Sequence, residues 1–183
     1  MLEYKYLSSG DDESDKGSIS DAFTRALEFI SKRKQLTMGV EYYLSGVKEE
    51  KGYYEFTFDY ILNNTPVFIN YNSKSQDKAL INNAVTITAN SKRVINCWWL
   101  IKKFTQGNET GQYYVDFSSF ISLLDNMFQD NESLNFKNFS IEDISVSYEV
   151  KSGSENQSLE PVWVITTKNN DYYAIPMRKK KGD

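Results

Sequence analysis

The side chains that could do chemistry in this chain are limited first by the absence of histidine from all 183 residues. Without an imidazole there is no Ser-His-Asp or Cys-His arrangement, and the commonest general base and metal ligand are missing. The single cysteine, Cys97, lies in an apolar stretch, which favours a buried structural thiol over a nucleophile. The sequence therefore predicts no catalytic residue of either type and no transition-metal site.

Carboxylates remain as possible catalytic groups, because the 25 acidic residues could supply a pair of the kind that glycosidases use. Their positions do not indicate one: Glu55 and Asp59 lie on the polar face of one predicted strand, where solvation explains them. No Gly-x-Gly-x-x-Gly or Gly-x4-Gly-Lys-Ser/Thr motif offers a phosphate-binding loop. We therefore predict no enzyme activity and no cofactor.

The charge balance, 21 basic against 25 acidic residues, argues against a nucleic-acid partner, which normally meets a basic face. Residues 178–183 contain the run Arg178-Lys179-Lys180-Lys181 and are interpreted as a basic, solvated tail, with contact to an anionic surface as the alternative. Residues 1–18 are polar and acidic over most of their length and are interpreted as a flexible leader.

Helical periodicity predicts two amphipathic helices. Ser18 begins the first, over residues 19–33, and Asp116 caps the second, over residues 117–128. The apolar positions at helical spacing are Ile19, Ala22, Phe23, Ala26, Leu27 and Ile30 in the first helix, and Phe117, Phe120, Ile121, Leu124, Met127 and Phe128 in the second.

Strand-like alternation and short apolar runs follow each helix. After the first helix, the predicted strands cover residues 42–43, 54–60, 67–69, 85–88 and 94–101, with turns at Asn63-Asn64 and Asn90-Ser91. After the second helix, they cover residues 144–150, 162–167 and 172–175. The predicted fold class is α+β, with each amphipathic helix followed by an antiparallel β-sheet.

The two stretches resemble each other. In each, a helix, a tyrosine-bearing strand, an aromatic strand, an asparagine turn and a returning strand recur roughly one hundred residues apart. We interpret them as two related units, residues 19–104 and 105–177, within one compact domain; a chance recurrence of common turn chemistry is the alternative.

Aromatic doublets are the most unusual feature of the sequence. Adjacent strand residues point to opposite faces, so each doublet within a strand places a ring on both sides of its sheet. Either the sheets cover these rings or one face is left for a partner. The partner-binding candidates are Trp98, Trp99, Tyr53, Tyr54, Tyr172 and Tyr173. We expect one tryptophan to face the helix and the other to emerge opposite it, where alanine substitution weakens association.

Two segments resemble a known family. Gly52 to Tyr60, continued by Asn64-Thr65-Pro66-Val67-Phe68, is similar to a hairpin of the YycH/YycI regulatory proteins. Tyr148, the run Leu159 to Ile165 and the pair Tyr172-Tyr173 are similar to the closing hairpin of that family and of PepSY-like modules. The resemblance covers most of residues 19–176.

The resemblance implies a non-enzymatic, extracytoplasmic domain of Gram-positive bacteria, tethered by an N-terminal transmembrane helix. Family members associate with one another and modulate a membrane sensor histidine kinase that governs cell-wall metabolism. A protein partner, such as the kinase or a related regulator, and a homo- or heterodimer are thereby expected. The alternative function is a cone-shaped α+β protein that binds a small apolar ligand in an aromatic-lined pocket.

Overall fold

The computed structural model describes residues 2–5, 16–37, 39–70, 81–104, 112–130, 139–151, 159–169 and 171–180. The helices are α1 (Ile19–Ser31), α2 (Lys34–Thr37) and α3 (Phe117–Asp130). The strands are β1 (Leu2–Lys5), β2 (Glu41–Glu50), β3 (Tyr53–Leu62), β4 (Thr65–Asn70), β5 (Ile81–Asn82), β6 (Val85–Ala89), β7 (Val94–Trp99), β8 (Ile141–Lys151), β9 (Glu160–Thr167) and β10 (Tyr172–Pro176).

The architecture is mixed α+β with mostly antiparallel strand pairing, which confirms the α+β part of the predicted fold class. The pairing of β4 with β8 is parallel. The α1 helix ends two residues before the predicted boundary, and β2 is a full ten-residue strand where only a short tyrosine-bearing one was predicted. Asn63 and Asn64 both have positive φ, as the predicted turn requires.

The predicted cap of α1 is present. Ser18 has extended backbone, and its Oγ accepts the Asp21 backbone N–H at 3.1 Å. The same hydroxyl donates to the Asp21 carboxylate at 2.7 Å, so the two side chains close the first turn reciprocally.

Asp116 caps α3 as predicted. Its Oδ1 accepts the Ser119 backbone N–H at 2.8 Å, and its Oδ2 accepts the Ser119 hydroxyl at 2.8 Å. Hydrogen bonds from Ser118 and Ser119 lower the pKa of this carboxyl to about 2. The cap is therefore stronger when Asp116 is ionised.

Replacing Asp116 with asparagine preserves the geometry of the cap, because asparagine is an equally good N-cap residue, but removes the titration. The folded pKa lies below the ordinary value, so the carboxylate stabilises the fold above about pH 4 and loses that contribution as pH falls towards 2. We expect wild type to melt above Asp116→Asn at pH 6, with the gap in Tm closing between about pH 4 and pH 2. Melting curves across this range would contradict the assignment if the gap were constant.

The first structural unit comprises Met1–Asn63 and Asn83–Thr105. Its strands lie in the order β1-β7-β6-β3-β2, and all neighbours are antiparallel. Helix α1 packs on one face of β3, β6 and β7. The Phe23 ring lies 5.4 Å from that of Phe56, and Ala22 and Ala26 are fully buried. This face of the sheet is the core of the unit.

Residues 2–5 of the predicted flexible leader form strand β1, so that part of the prediction was wrong. β1 pairs with β7 along its whole length, and the Tyr4 ring packs 5.1 Å from that of Phe29 on α1. The packing of Tyr4 against α1 and the backbone pairing with the edge of β7 together explain the strand. Residues 6–15 of the leader lie outside the described residues.

The second structural unit comprises Asn64–Asn82 and Gln106–Asp183. Its strands lie in the order β5-β4-β8-β9-β10. Helix α3 packs against β9 and β10. The core cluster on this face contains Phe120, Leu124, Met127, Phe128, Ile165, Tyr173 and Ile175.

Residues 64–82 belong with the second unit rather than with the first, where residues 19–104 had been placed. The physical reason is the parallel pairing of Val67–Asn70 with Tyr148–Lys151. The buried Asn70 donates to the Glu149 carboxylate at 2.6 Å, and Ser147 donates to the Pro66 carbonyl at 2.6 Å.

Residues 178–180 of the predicted solvated tail are held by backbone contacts. The Tyr114 N–H donates to the Arg178 carbonyl at 3.0 Å, and the Lys180 N–H donates to the Gln112 carbonyl at 2.7 Å. The Lys180 ammonium also lies 5.4 Å from the centre of the Tyr114 ring. The side chains remain exposed, but the chain path is fixed. Residues 181–183 lie outside the described residues.

Candidate partner-binding surfaces

The two tryptophans of β7 point to opposite faces of the first unit's sheet. Trp99 is completely buried on the helix side, and its Nε1 donates to the Tyr42 hydroxyl at 3.2 Å. Trp98 is half-buried on the other face, directly across from Glu3 on β1 and Thr86 on β6. Trp98 is therefore the member of the doublet whose side chain can reach outward.

The tyrosine doublet of β3 divides in the same way. Tyr54 is buried on the helix side, where its hydroxyl donates to the Gly17 carbonyl at 3.4 Å. The Lys16 ammonium lies 4.5 Å from the Tyr54 ring centre and pairs with Glu49. Tyr53 is half-buried on the opposite face, across from Glu50.

In the second unit, Tyr173 belongs to the core under α3, with its ring 5.2 Å from that of Phe139. Tyr172 points to the other face of β10. There it packs, half-buried, against a second apolar cluster made of Phe68, Val162, Val164 and Ala174.

Trp99, Tyr54 and Tyr173 are thus core residues whose rings a partner cannot reach. The first unit also does not join Trp98 and Tyr53 into one aromatic patch. The positions between them on that face carry Thr86, Thr88, Thr57 and Glu55, according to the strand registers. Partner binding by Trp98, Tyr53 or Tyr172 stays a prediction.

Beneath α1 the aromatic residues form a hydrogen-bonded network rather than a reactive site. The Tyr60 hydroxyl donates to the Leu100 carbonyl and accepts the Lys102 N–H at 2.9 Å. Burial raises the pKa of both Tyr60 and Tyr42 above the ordinary range, so both phenols stay protonated. Their role is to satisfy buried backbone and indole groups.

Two further buried groups, Cys97 and Asp59, lie in the same unit. Burial raises the pKa of the Cys97 thiol to about 12, which leaves almost no thiolate at neutral pH. Asp59, which was predicted to be solvated, is instead buried, and it accepts the Asn83 side-chain amide and the Ala84 N–H, each at 3.2 Å. Within the described ranges, no group of three or more Cys, Asp or Glu side chains is arranged to hold a metal ion.

A row of apolar side chains that is exposed at its two ends lies in the second unit, beside α3. Phe117, at the start of the helix, is 69% exposed, and its ring lies 5.9 Å from that of Phe120. Phe120 is 5.2 Å from Trp163 on β9, and Trp163 lies directly across from Val146 on β8. Val146 and its neighbour on the same face, Ile144, are exposed. We call these five residues the Phe117 row.

Sequence reasoning missed the Phe117 row because it assigned Phe117 and Ile121 to the buried stripe of the second helix. Both are exposed. On a helical wheel both lie beside Phe128, which belongs to the buried cluster, so their direction alone does not set them apart. Both lie in the first half of α3, whereas Phe128 lies in its last turn.

No protein-family model, curated protein or solved structure matched the chain. Across the part of the chain that the structure describes, no helix is both long and apolar enough to cross a membrane.

Proposed function

We propose that this chain is a non-enzymatic, regulatory protein-binding module that uses the Phe117 row as its main docking surface. The observation that carries this proposal is the exposure of Phe117, Ile144 and Val146. The buried Phe120 and the half-buried Trp163 connect these exposed ends of the row. Large exposed apolar groups in a connected patch are typical of interaction sites, whereas single exposed apolar residues are ordinary.

The binding free energy that such a row can contribute fits a protein partner. An aromatic side chain that becomes fully buried at the centre of an interface typically contributes about 2 kcal/mol or more, measured as the cost of truncation. Phe117 already rests on Phe120, which rests on Trp163, so a partner would meet a preformed aromatic support. The exposed Asp125, one turn after Ile121, favours a partner with basic groups at the rim.

The resemblance to the YycH/YycI and PepSY-like proteins indicates which kind of protein the partner is. By that resemblance the partner is a membrane sensor histidine kinase of the cell-wall stress type, or a related regulator, and the module acts outside the cytoplasm. The buried thiol and the hydrogen-bonded phenols and carboxylates are consistent with a chain that performs no catalysis.

The test is site-specific photo-crosslinking followed by quantitative binding. A photo-reactive phenylalanine analogue at position 117, in the cells that produce the chain, is expected to capture one protein. With that protein purified, Phe117→Ser and Val146→Ser are each expected to weaken binding by about 30-fold, equivalent to about 2 kcal/mol.

The matched control is Leu27→Ser, which removes an apolar side chain that is 44% exposed in the first unit. Binding of this variant should equal that of wild type within a factor of about two. Equal losses for Leu27→Ser and Phe117→Ser, or unchanged binding in both row variants, would refute the proposal.

The alternative, a small-ligand protein, has one observation in its favour. The Nε1 of Trp163 is buried and has no hydrogen-bond partner among the described residues. A ligand oxygen could accept this proton. If so, native mass spectrometry of the purified wild-type chain should show a bound small molecule that the Trp163→Phe chain no longer retains. If both chains showed only the mass of the protein without a ligand, the alternative would be eliminated.

We also propose that the two units descend from one duplicated segment. In each, the helix is followed by a long strand, Glu41–Glu50 or Ile141–Lys151, that pairs antiparallel with the next strand. Both long strands contain a register shift, in the middle of Glu41–Glu50 and at the start of Ile141–Lys151. Failure of residues 19–62 and 117–167 to superpose in a crystal structure would contradict the duplication.

A further inference from the structure

Strand β2 is an edge of the first unit's sheet. Among the described residues it pairs with β3 alone, over its whole length from Glu41 to Glu50. Ten residues of strand extend about 34 Å. The side of an edge strand that faces away from its neighbour offers a row of backbone N–H and C=O groups to any strand that aligns with it.

On the side that carries α1, the charged side chain of β2 is Glu49, which lies near the end of the strand and pairs with Lys16. The middle of the edge on this side carries apolar residues. Leu44 and Val47 point to that side, opposite Phe58 and Phe56 of β3, and are 40% and 45% exposed. Edge strands are commonly protected by an inward-pointing charge. The lysine of this strand, Lys48, lies on the other face, where its Nζ pairs with Glu50 at 2.6 Å.

A β-bulge in the middle of β2 determines which register a second strand could adopt. The register with β3 shifts between Leu44 and Gly46, so Ser45 is the additional residue. The shift moves the alternation by one, which places Leu44 and Val47 on the same face although they are three residues apart. Leu44 and Val47, which share a face on either side of the bulge, therefore also direct their backbone N–H and C=O groups to the same edge of the strand.

We propose that β2 pairs antiparallel with β2 of a second copy of this chain, about a two-fold axis that passes between Ser45 and Gly46. Leu44 of one copy then lies directly across from Val47 of the other, and Tyr43 lies across from Lys48. Each pair occurs twice because of the symmetry. The pairing joins the two sheets through their edges and closes the exposed apolar positions of β2 against each other.

Chemical complementarity at the other positions favours a second copy as the occupant. Tyr43 and Lys48 share the face opposite α1, and an ammonium beside a tyrosine ring is attractive. Glu41 falls across from Glu50, which is unfavourable, but Lys48 of the same second copy lies diagonal to Glu41 and offsets part of this repulsion. Leu44 and Val47, the exposed apolar residues of this strand, are equally far from the Ser45–Gly46 bond, so a second copy matches their spacing, which an unrelated strand need not do.

The α1 helix leaves room for this arrangement. Its Phe23 ring packs on Phe56 and Phe58 of β3, and its exposed Ile19 and Leu27 lie on the same side of the helix as Phe23. In the dimer, Leu44 and Val47 of both copies would form the floor of an apolar trough between the two α1 helices. The surface involved is separate from the Phe117 row, so the inference does not depend on the proposed function.

The association constant tests the pairing first. Sedimentation of the full chain from about 1 to 200 µM is expected to show a monomer–dimer equilibrium with a Kd of about 1–50 µM, in line with an interface of modest size. Val47→Lys should weaken it at least ~30-fold by placing two charges in the apolar floor. Glu41→Lys, an exposed substitution that leaves the core intact, should tighten it several-fold by removing the carboxylate pair.

Disulfide trapping tests the register. A mixture of Leu44→Cys and Val47→Cys chains is expected to form a crosslinked dimer under mild oxidation, because directly opposed residues have Cα atoms about 4.5–5.5 Å apart. Each variant alone should crosslink little, since like positions lie about 10 Å apart across the axis. The native Cys97 is buried and does not interfere.

Three results would overturn the proposal: a wild-type chain that stays monomeric to 200 µM, equal crosslinking in the mixture and the single variants, or a Glu41→Lys chain that dimerises more weakly than wild type. Should Val47→Lys fail to fold, as judged by circular dichroism, the Glu41→Lys shift and the crosslinking pattern decide the question by themselves.

Discussion

Replacing Trp99 with alanine is expected to lower the free energy of unfolding by about 3–5 kcal/mol, the usual range for a large aromatic residue removed from a core. Trp99 is completely buried, and its indole lies edge-on to the Tyr42 ring at 5.9 Å. The substitution leaves a cavity and also deprives the Tyr42 hydroxyl of its indole donor. Urea denaturation followed by circular dichroism measures the change.

Trp98→Ala is the matched comparison, because it removes the same side chain from the neighbouring position. Trp98 is only half-buried and lies on the face opposite α1, so we expect roughly half the cost of Trp99→Ala or less. Trp99→Phe should fall between the two, since it keeps an aromatic ring but loses the hydrogen bond. Equal costs for Trp98→Ala and Trp99→Ala would mean that the two faces of β7 are buried alike.

Sequence reasoning predicted the elements whose cause is local. The caps at Ser18 and Asp116, the positive-φ turn at Asn63 and Asn64, and the opposite directions of Trp98 and Trp99 all follow from the chemistry of neighbouring residues. Such features need no knowledge of distant parts of the chain.

Strand partners could not be predicted in this way. Nothing in Val67–Asn70 indicates that it pairs in parallel with Tyr148–Lys151, because an apolar run is equally compatible with either direction and with any partner. The same limit explains β1: four residues beside an acidic stretch carry no local signal that the edge of β7 is open. Both errors moved the unit boundaries.

The candidate surfaces were harder to predict than the strand partners, because the exposure of a side chain depends on how much of a sheet face the helix covers. Tyrosine and tryptophan were chosen for their frequency in interfaces, yet Tyr54 and Tyr173 proved to be core. The exposed positions were instead ordinary apolar residues such as Phe117 and Val47. Sequence periodicity identifies the stripe of a helix or strand, but only the packed structure shows which part of that stripe lies outside the contact.

The second large effect concerns Gly17, just before the cap of α1. We expect Gly17→Ala to lower the free energy of unfolding by about 3 kcal/mol or more, from two causes. The φ of Gly17 is 64°, a conformation that costs other residues about 1–2 kcal/mol. An alanine Cβ would also overlap Oγ and Cβ of Ser91, which adds the cost of overpacking.

The backbone cannot move away from this overlap without further loss. The Ser91 N–H donates to the Lys16 carbonyl at 3.1 Å, and the Tyr54 hydroxyl donates to the Gly17 carbonyl at 3.4 Å. A shift of residues 16 and 17 away from Ser91 would break the first of these bonds and disturb the second. We therefore expect a full penalty for Gly17→Ala, which a small local adjustment does not relieve.

Gly39→Ala separates the two causes, because Gly39 has a φ of 77° but nothing within 4 Å of the added methyl group. Gly39→Ala should lower the free energy of unfolding only by the cost of placing alanine at positive φ, about 1–2 kcal/mol. In a Ser91→Gly background, the cost of Gly17→Ala should fall towards that of Gly39→Ala, giving a coupling energy of about 1–3 kcal/mol in the double-mutant cycle. A coupling near zero, measured by denaturant unfolding of all four chains, would show that Ser91 does not set the requirement for glycine at position 17.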